Sequence, residues 1–138
     1  MVNLDTVDIN DLESVRQAID NAEYPRLLGM RITELKKGFA RVECRIEARH
    51  QNLYQATHGG AVFSIADHAC SAAGNSLGRN AVMIQSGITF FANPRLNETV
   101  IAEAEILHSG RRTAYMDILV RTEAGKNIAK CQAVVYFI

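Results

Sequence analysis

After Gly38 the side chains alternate with a period of two. Ala40, Val42, Cys44, Ile46 and Ala48 are apolar, and Arg41, Glu43, Arg45, Glu47 and Arg49 between them are charged. This is the pattern of a strand with one face buried and the other in water. Upstream the period changes. Leu12, Val15, Ile19 and Ala22 recur at helical spacing within an N-terminal segment taken as 1–24. Asn10 or Asp11 is placed to cap the helix, and Pro25, which lacks an N–H and restrains Tyr24, is expected to end it. Residues 49–58 are polar and aperiodic and read as a loop. Over 59–78 the chain is rich in alanine, lacks proline, and is apolar or small on nearly every side, which predicts a central helix closed by Gly78 and buried all round.

Four strand candidates follow, at Val82–Phe91, Thr99–His108, Thr113–Thr122 and Ile128–Phe137, punctuated by Asn93-Pro94, Ser109-Gly110 and Ala124-Gly125. A helix, one or two strands, a buried helix and then four strands joined by short turns imply an α+β fold. Its sheet is antiparallel, and curling around the central helix would explain why that helix must be small. At 138 residues without repeat or linker, the chain is expected to form one domain over 1–138.

Fifteen basic residues balance fifteen acidic ones. Zero net charge argues against a nucleic acid or an anionic membrane as partner, and it protects poorly against self-association, so a homo-oligomer is expected. Cys44, Cys70 and Cys131 are odd in number and form no C-x-x-C pair, so they read as reduced core thiols. No apolar run approaches the ~20 residues of a membrane span, and residues 1–11 carry acids and no apolar signal core. A soluble, cytoplasmic protein is the expectation.

Candidate chemistry gathers around the central helix. Asp67 is the only acid between Ala48 and Pro94, and it lies well inside the buried segment. It is either a structural carboxylate held by loop amides or a basic partner, or a base whose pKa rises on desolvation. Gly59-Gly60 puts two residues without side chains at a helix start, where free N–H groups can polarise a carbonyl, although most Gly-Gly pairs are plain turns. His58 reads as a cap or a substrate contact, and Asn52 as a turn former or a second donor. Arg111-Arg112 beside Gly110 is a solvated hairpin end or a phosphate clamp. There is no G-x-S-x-G elbow, no P-loop and no G-x-G-x-x-G. Cys70 is two positions from His68, so the two face different sides of a helix and make no dyad. The four histidines show no ligand spacing, so neither a metal nor another cofactor is expected.

The array Asn52-x5-His58-Gly59-Gly60-x6-Asp67 resembles the signature of hotdog-fold acyl-coenzyme A thioesterases of the phenylacetate-pathway type. Gly87-Ile88-Thr89-Phe90 and His108-Ser109-Gly110-Arg111-Arg112-Thr113 extend the likeness, which spans roughly 27–137. The resemblance implies Asp67 as nucleophile or general base, the Gly59 amide polarising the thioester carbonyl, and Asn52 and His58 helping to hold it. It implies Arg111 or Arg112 meeting coenzyme A phosphates. The acyl group would run along the helix near Gly60, Ala66, Ser71, Tyr54 and Phe90. One position departs: Met83 stands where some relatives have a serine that orients the attacking water, with Gln85 and Ser86 nearby. Relatives also pair about a two-fold axis, often as dimers of dimers, which implies a homotetramer whose sites combine Asn52 and Gly59 of one chain with Asp67 of the next. Two other functions fit the same fold, a hydratase or dehydratase and a non-catalytic acyl-coenzyme A binding module.

Overall fold

The computed structural model describes residues 4–138. The start of the 1–24 segment, residues 1–3, lies outside the described residues. A 3-10 turn at Leu4–Thr6 precedes helix α1, Leu12–Asp20, whose cap is Asp11, accepting from the Ser14 amide at 3.1 Å. The sequence expectation that Pro25 ends this helix is corrected. α1 stops at Asp20, and Pro25 instead lies in the first turn of a second helix, α2, Glu23–Leu28. A first-turn proline has no intrahelical N–H bond to lose, so it is tolerated there.

Six strands follow the antiparallel plan: β1 Met30–Lys36, β2 Phe39–Arg45, β3 Ala81–Phe90, β4 Thr99–Ser109, β5 Thr113–Thr122 and β6 Asn127–Phe137. Their order in the one sheet is β1-β2-β4-β5-β6-β3, every neighbouring pair antiparallel. The β1–β2 hairpin turns at Gly38, whose φ of +82° is open to glycine without strain. The strand expected to run to Ala48 ends at Arg45. Ile46 still points into the core, but Ala48 is exposed and begins a 3-10 turn, Ala48–His50, inside what read as plain loop.

Helix α3, Gly59–Asn75, crosses the concave face of the sheet and carries the chain from β2 to β3, at the sheet's far edge. It ends three residues before the expected Gly78. Its sheet-facing residues Ala66, Ala69, Ala72 and Ala73 are wholly buried, and so are Ala40, Ala102, Ala104, Ala114 and Ala133 on the strands. Small residues on both surfaces let helix and sheet approach closely, while Ile65, Met116, Ile118, Val120 and Ile128 fill the space between. The expectation of burial all round is corrected on one row. Phe63, Asp67, Ser71 and Asn75, each four residues from the next, are only half-buried, because no strand covers that flank.

The charged residues of the alternating strand lie on the outer face. Arg41 meets Glu34 at 3.1 Å and Glu103 at 3.2 Å, and Glu103 also meets Arg121 at 3.0 Å. Pairs this exposed contribute little energy, and they align β1, β2, β4 and β5 more than they stabilise them.

If close helix–sheet packing sets the size of α3, enlarging it from inside must be costly. Ala69→Leu is expected to destabilise the fold by about 1–3 kcal/mol through overpacking, read as a lower urea midpoint. An unchanged midpoint would mean the core has slack at this position.

Candidate active site

The loop before α3 is held from two sides. His50 is buried, and its Nδ1 accepts the Glu47 amide at 2.8 Å, so in the neutral ring the proton is on Nε2, which donates to the Leu28 carbonyl at 2.7 Å. The His50 carbonyl in turn accepts the His58 amide at 2.7 Å. From the other side Asn93 bonds both backbone groups of Thr57, at 3.0 and 2.8 Å, and the Thr57 hydroxyl donates to the Pro94 carbonyl at 2.7 Å. His50, Thr57 and Asn93 were missed as site-forming residues. Each has at least one partner more than twenty positions away, Leu28 for His50 and the Asn93-Pro94 segment for Thr57, which periodicity does not mark. Asn52 sits inside this loop. Its Oδ1 accepts from the Tyr54 and Ala56 amides at 2.9 and 3.2 Å, which fixes the side chain and leaves the amide nitrogen as a donor.

At the start of α3 the first-turn N–H groups are almost all used. His58 caps the helix, its Nδ1 accepting from Gly60 at 2.8 Å, and its carbonyl accepts from Ala61 and Val62. Among the described residues, Gly59 is the first-turn amide left without a partner. Both glycines have steric reasons. A Cβ at Gly60 would come within 2.9 Å of His58 Nδ1 and break the cap, and one at Gly59 would touch the Phe90 ring at 3.4 Å. His58 is thus a cap, and with Nδ1 occupied its Nε2 faces outward as a second donor.

Asp67 lies two turns further along. Its carboxylate accepts no hydrogen bond among the described residues, and burial raises its pKa above the ordinary value of 3.8, with the neighbouring His68 opposing the rise. A half-buried carboxylate without a partner is unusual in a structural role and common in a reactive one. It opens onto a cleft of about 310 Å³ lined also by Ser64, His68 and Ser71 on α3, Tyr24 and Pro25 on α2, and Ile19, Ala22 and Met30. Gly59 and Asp67 are eight residues apart on one helix, roughly 12 Å along its axis, too far to act on a single carbonyl. Cys70 is no rival nucleophile, since burial first and the Asp67 charge second push its thiol up to about 12.

The remaining sequence candidates divide. Ser71 lines the cleft. Phe90 packs on Gly59 at the helix start, whereas Tyr54 is 80% exposed on the loop and Ala66 is sealed in the core, so neither lines the cleft. Met83 packs on the core, and a bulge between Met83 and Gln85 puts Ser86 near Cys131, the Ser86 Oγ 3.3 Å from its sulfur. Arg111 and Arg112 are exposed at the β4–β5 turn. Sequence reasoning missed Arg79, which donates to the Gly110 and Arg111 carbonyls at 3.4 and 3.2 Å and to Ser109 at 3.1 Å, with its guanidinium 3.6 Å over the Phe137 ring. It braces the turn that presents the two arginines. Among the described residues no three His, Cys, Asp or Glu side chains are grouped to hold a metal, and no helix is long and apolar enough to cross a membrane.

Because Asp67 is harder to ionise in the folded protein, its charge destabilises the fold at any pH above the raised value, and the penalty vanishes below the ordinary carboxylate range. Asp67→Asn is therefore expected to raise the thermal midpoint at about pH 7 and to change it little at about pH 3. A midpoint lowered at neutral pH would give the carboxylate a structural role.

Known proteins carry the same architecture. The model of the thioesterase superfamily matches residues 54–129. The acyl-coenzyme A thioesterase PaaI of Escherichia coli is 34% identical over 110 residues, covering 80% of this chain and 79% of that protein. The solved structure of the E. coli PaaI protein from the phenylacetic acid degradation operon superposes with a TM-score of 0.88 at 28% identity, over 96% of both chains. A hypothetical thioesterase protein from Streptococcus pneumoniae solved with coenzyme A matches with a TM-score of 0.76 at 26% identity, over 79% of this chain and 85% of that one. The curled sheet around one central helix is the hotdog fold of these structures, and the chain belongs to the thioesterase superfamily, as a thioester hydrolase.

Proposed function

We propose that this protein hydrolyses acyl-coenzyme A thioesters to a carboxylic acid and free coenzyme A. The observation that carries the reading is the pairing of a first-turn amide at Gly59 and a desolvated carboxylate at Asp67, neither with a hydrogen-bond partner among the described residues. A thioester needs little more, because the thiolate is a good leaving group. The Gly59 N–H, helped by Asn52 Nδ2 and His58 Nε2, stabilises the carbonyl oxygen as it gains charge. Asp67 in its ionised form takes a proton from the attacking water, or attacks the carbonyl itself. On either route the C–S bond breaks and the sulfur leaves with the electron pair and is protonated; where Asp67 has attacked, water then hydrolyses the resulting acyl anhydride, releasing the acid and restoring the carboxylate. The relative solved with coenzyme A supports this carrier, and Arg111 and Arg112, braced by Arg79, meet its phosphates.

The 12 Å between Gly59 and Asp67 is bridged by a second copy. β3 is a sheet edge with Val82, Ile84, Phe90 and Phe91 exposed along it or just beyond, the surface on which two copies can pair edge to edge. A two-fold axis then sets the Asn52–Gly59 loop of one chain against Asp67 of the other, giving two equivalent sites per dimer, and pairs of dimers make the tetramer.

Asp67→Asn is expected to lower kcat by about 10²–10⁴ while the fold persists, and wild-type kcat/KM should fall with pH through a value above 3.8. Retention of most activity would remove Asp67 from the chemistry. Asn52→Ala and Asp67→Asn, each nearly inactive alone, should recover about a quarter of wild-type activity when co-refolded one to one, since half the dimers then hold one intact site. No recovery despite subunit exchange would put both residues in one chain's site.

The carrier site is tested separately. Changing Arg111 and Arg112 together to Ala should raise KM for coenzyme A esters about tenfold or more and leave N-acetylcysteamine thioesters nearly unaffected. Equal losses on both would mean the arginines act through structure.

A further inference from the structure

The cleft beside Asp67 has two walls of different origin. One is the α3 row of Ser64, Asp67, His68 and Ser71, inside the stretch matched by the superfamily model; the other is Ile19, Ala22, Tyr24, Pro25 and Met30, all outside it. This second wall is tied to α3 at two points one helical turn apart. His68 Nε2 meets Asp20 Oδ1 at 3.0 Å, and the two Asp20 oxygens accept the Ile32 amide at 3.0 and 3.1 Å. The Ser64 hydroxyl donates to the Gly60 carbonyl at 2.8 Å, so the 2.7 Å contact between Tyr24 and Ser64 has the phenol as donor. Tyr24 is otherwise 58% exposed. An exposed ring on a surface helix has no packing reason to be held at its tip, yet this one is pinned to the helix that carries Asp67.

Tyr24 also lines a second depression, of about 570 Å³, with Glu23, Arg26 and Leu27. It therefore stands as a partition between that depression and the 310 Å³ cleft. The cleft is small for a ligand site. At a water's share of about 30 Å³ per non-hydrogen atom, it takes roughly ten such atoms. Its floor is mixed, with apolar Ile19, Ala22, Pro25 and Met30 facing the hydroxyls of Ser64 and Ser71.

We propose that Tyr24 is a specificity-determining residue: pinned to Ser64, it closes the acyl subsite beside Asp67 and confines the enzyme to compact acyl groups. The proposal rests on the acyl-coenzyme A reading above and adds the part of the chain that selects the acyl group. Long chains are refused because their distal carbons meet the Tyr24 ring, and removing the ring opens the cleft into the neighbouring depression.

The test measures binding apart from turnover. S-hexyl- and S-dodecyl-coenzyme A are thioethers that cannot be hydrolysed, and their dissociation constants are read by calorimetry on the full chain, wild type and Tyr24→Ala. Wild type should prefer the hexyl thioether, and Tyr24→Ala should raise the dodecyl-to-hexyl affinity ratio at least about tenfold. Tyr24→Leu, which keeps an apolar side chain in case the alanine variant unfolds, should move the ratio the same way. Tyr24→Phe keeps the ring but loses the tie, and its ratio should lie between those of wild type and Tyr24→Ala. An unchanged ratio in the shortened variants, or no binding of the hexyl thioether by wild type, overturns the proposal. Thiol release from hexanoyl-coenzyme A, assayed alongside, reports on the thioesterase reading alone. Turnover with a flat ratio sinks only the Tyr24 subsite, and binding with a shifted ratio but no turnover sinks only the catalysis.

Discussion

Everything in this structure depends on how closely α3 can lie against the sheet. The sheet curls, so the helix inside it is approached by strands over most of its circumference, and only side chains of one or no carbons fit at the closest contacts. Ala66, Ala69, Ala72 and Ala73 meet Ala102, Ala104, Ala114 and Ala133 there, all without solvent exposure. A sheet of six strands still does not close, and the flank it leaves open is the row from Phe63 through Asp67 to Asn75. Asp67 is thus desolvated by the same packing that leaves it reachable, two properties that a reactive carboxylate needs together.

The arrangement at the start of α3 follows from helix geometry. A helix start has several N–H groups without intrahelical partners, and leaving all of them open at a half-covered position would be costly. Here the His58 ring and carbonyl take two, from Gly60 and Ala61, and among the described residues the one at Gly59 remains. A cap of this kind orients as well as stabilises. It requires a glycine at 60, and it requires the loop to arrive at a set angle, which the buried His50 and the Asn93–Thr57 pair enforce from opposite sides.

Much of this was legible in the chain. Thr113–Thr122 was placed to the residue, and the other late strands to within a residue or two, because turn residues bracket clean alternation. The Asn52–Asp67 array was visible because it is local and its spacing is short. What was not legible was non-local or depended on context. Pro25 looked like a terminator, since sequence cannot say whether a proline falls in the last turn of one helix or the first turn of the next. The half-exposed row of α3 was hidden because Phe63 is apolar and Ser71 small, so only the missing strand distinguishes their face. Arg79 and Tyr24 gave no signal at all. Each acts through a partner at least thirty residues away, a relation that periodicity does not record.

The charge balance of the site carries a last step. Among the described residues no basic side chain forms an ion pair with Asp67, although such residues are plentiful; His68, beside it in sequence, is turned to Asp20 instead. A direct ion pair would have stabilised the fold and held the carboxylate pKa low, making a weaker base. Spending His68 on the tie to α1 keeps its influence on Asp67 to a through-space effect and uses it to hold the N-terminal wall in place. The fold thus carries a carboxylate without a direct basic partner at neutral pH, a loss of stability in keeping with the proposed role of Asp67 as a base.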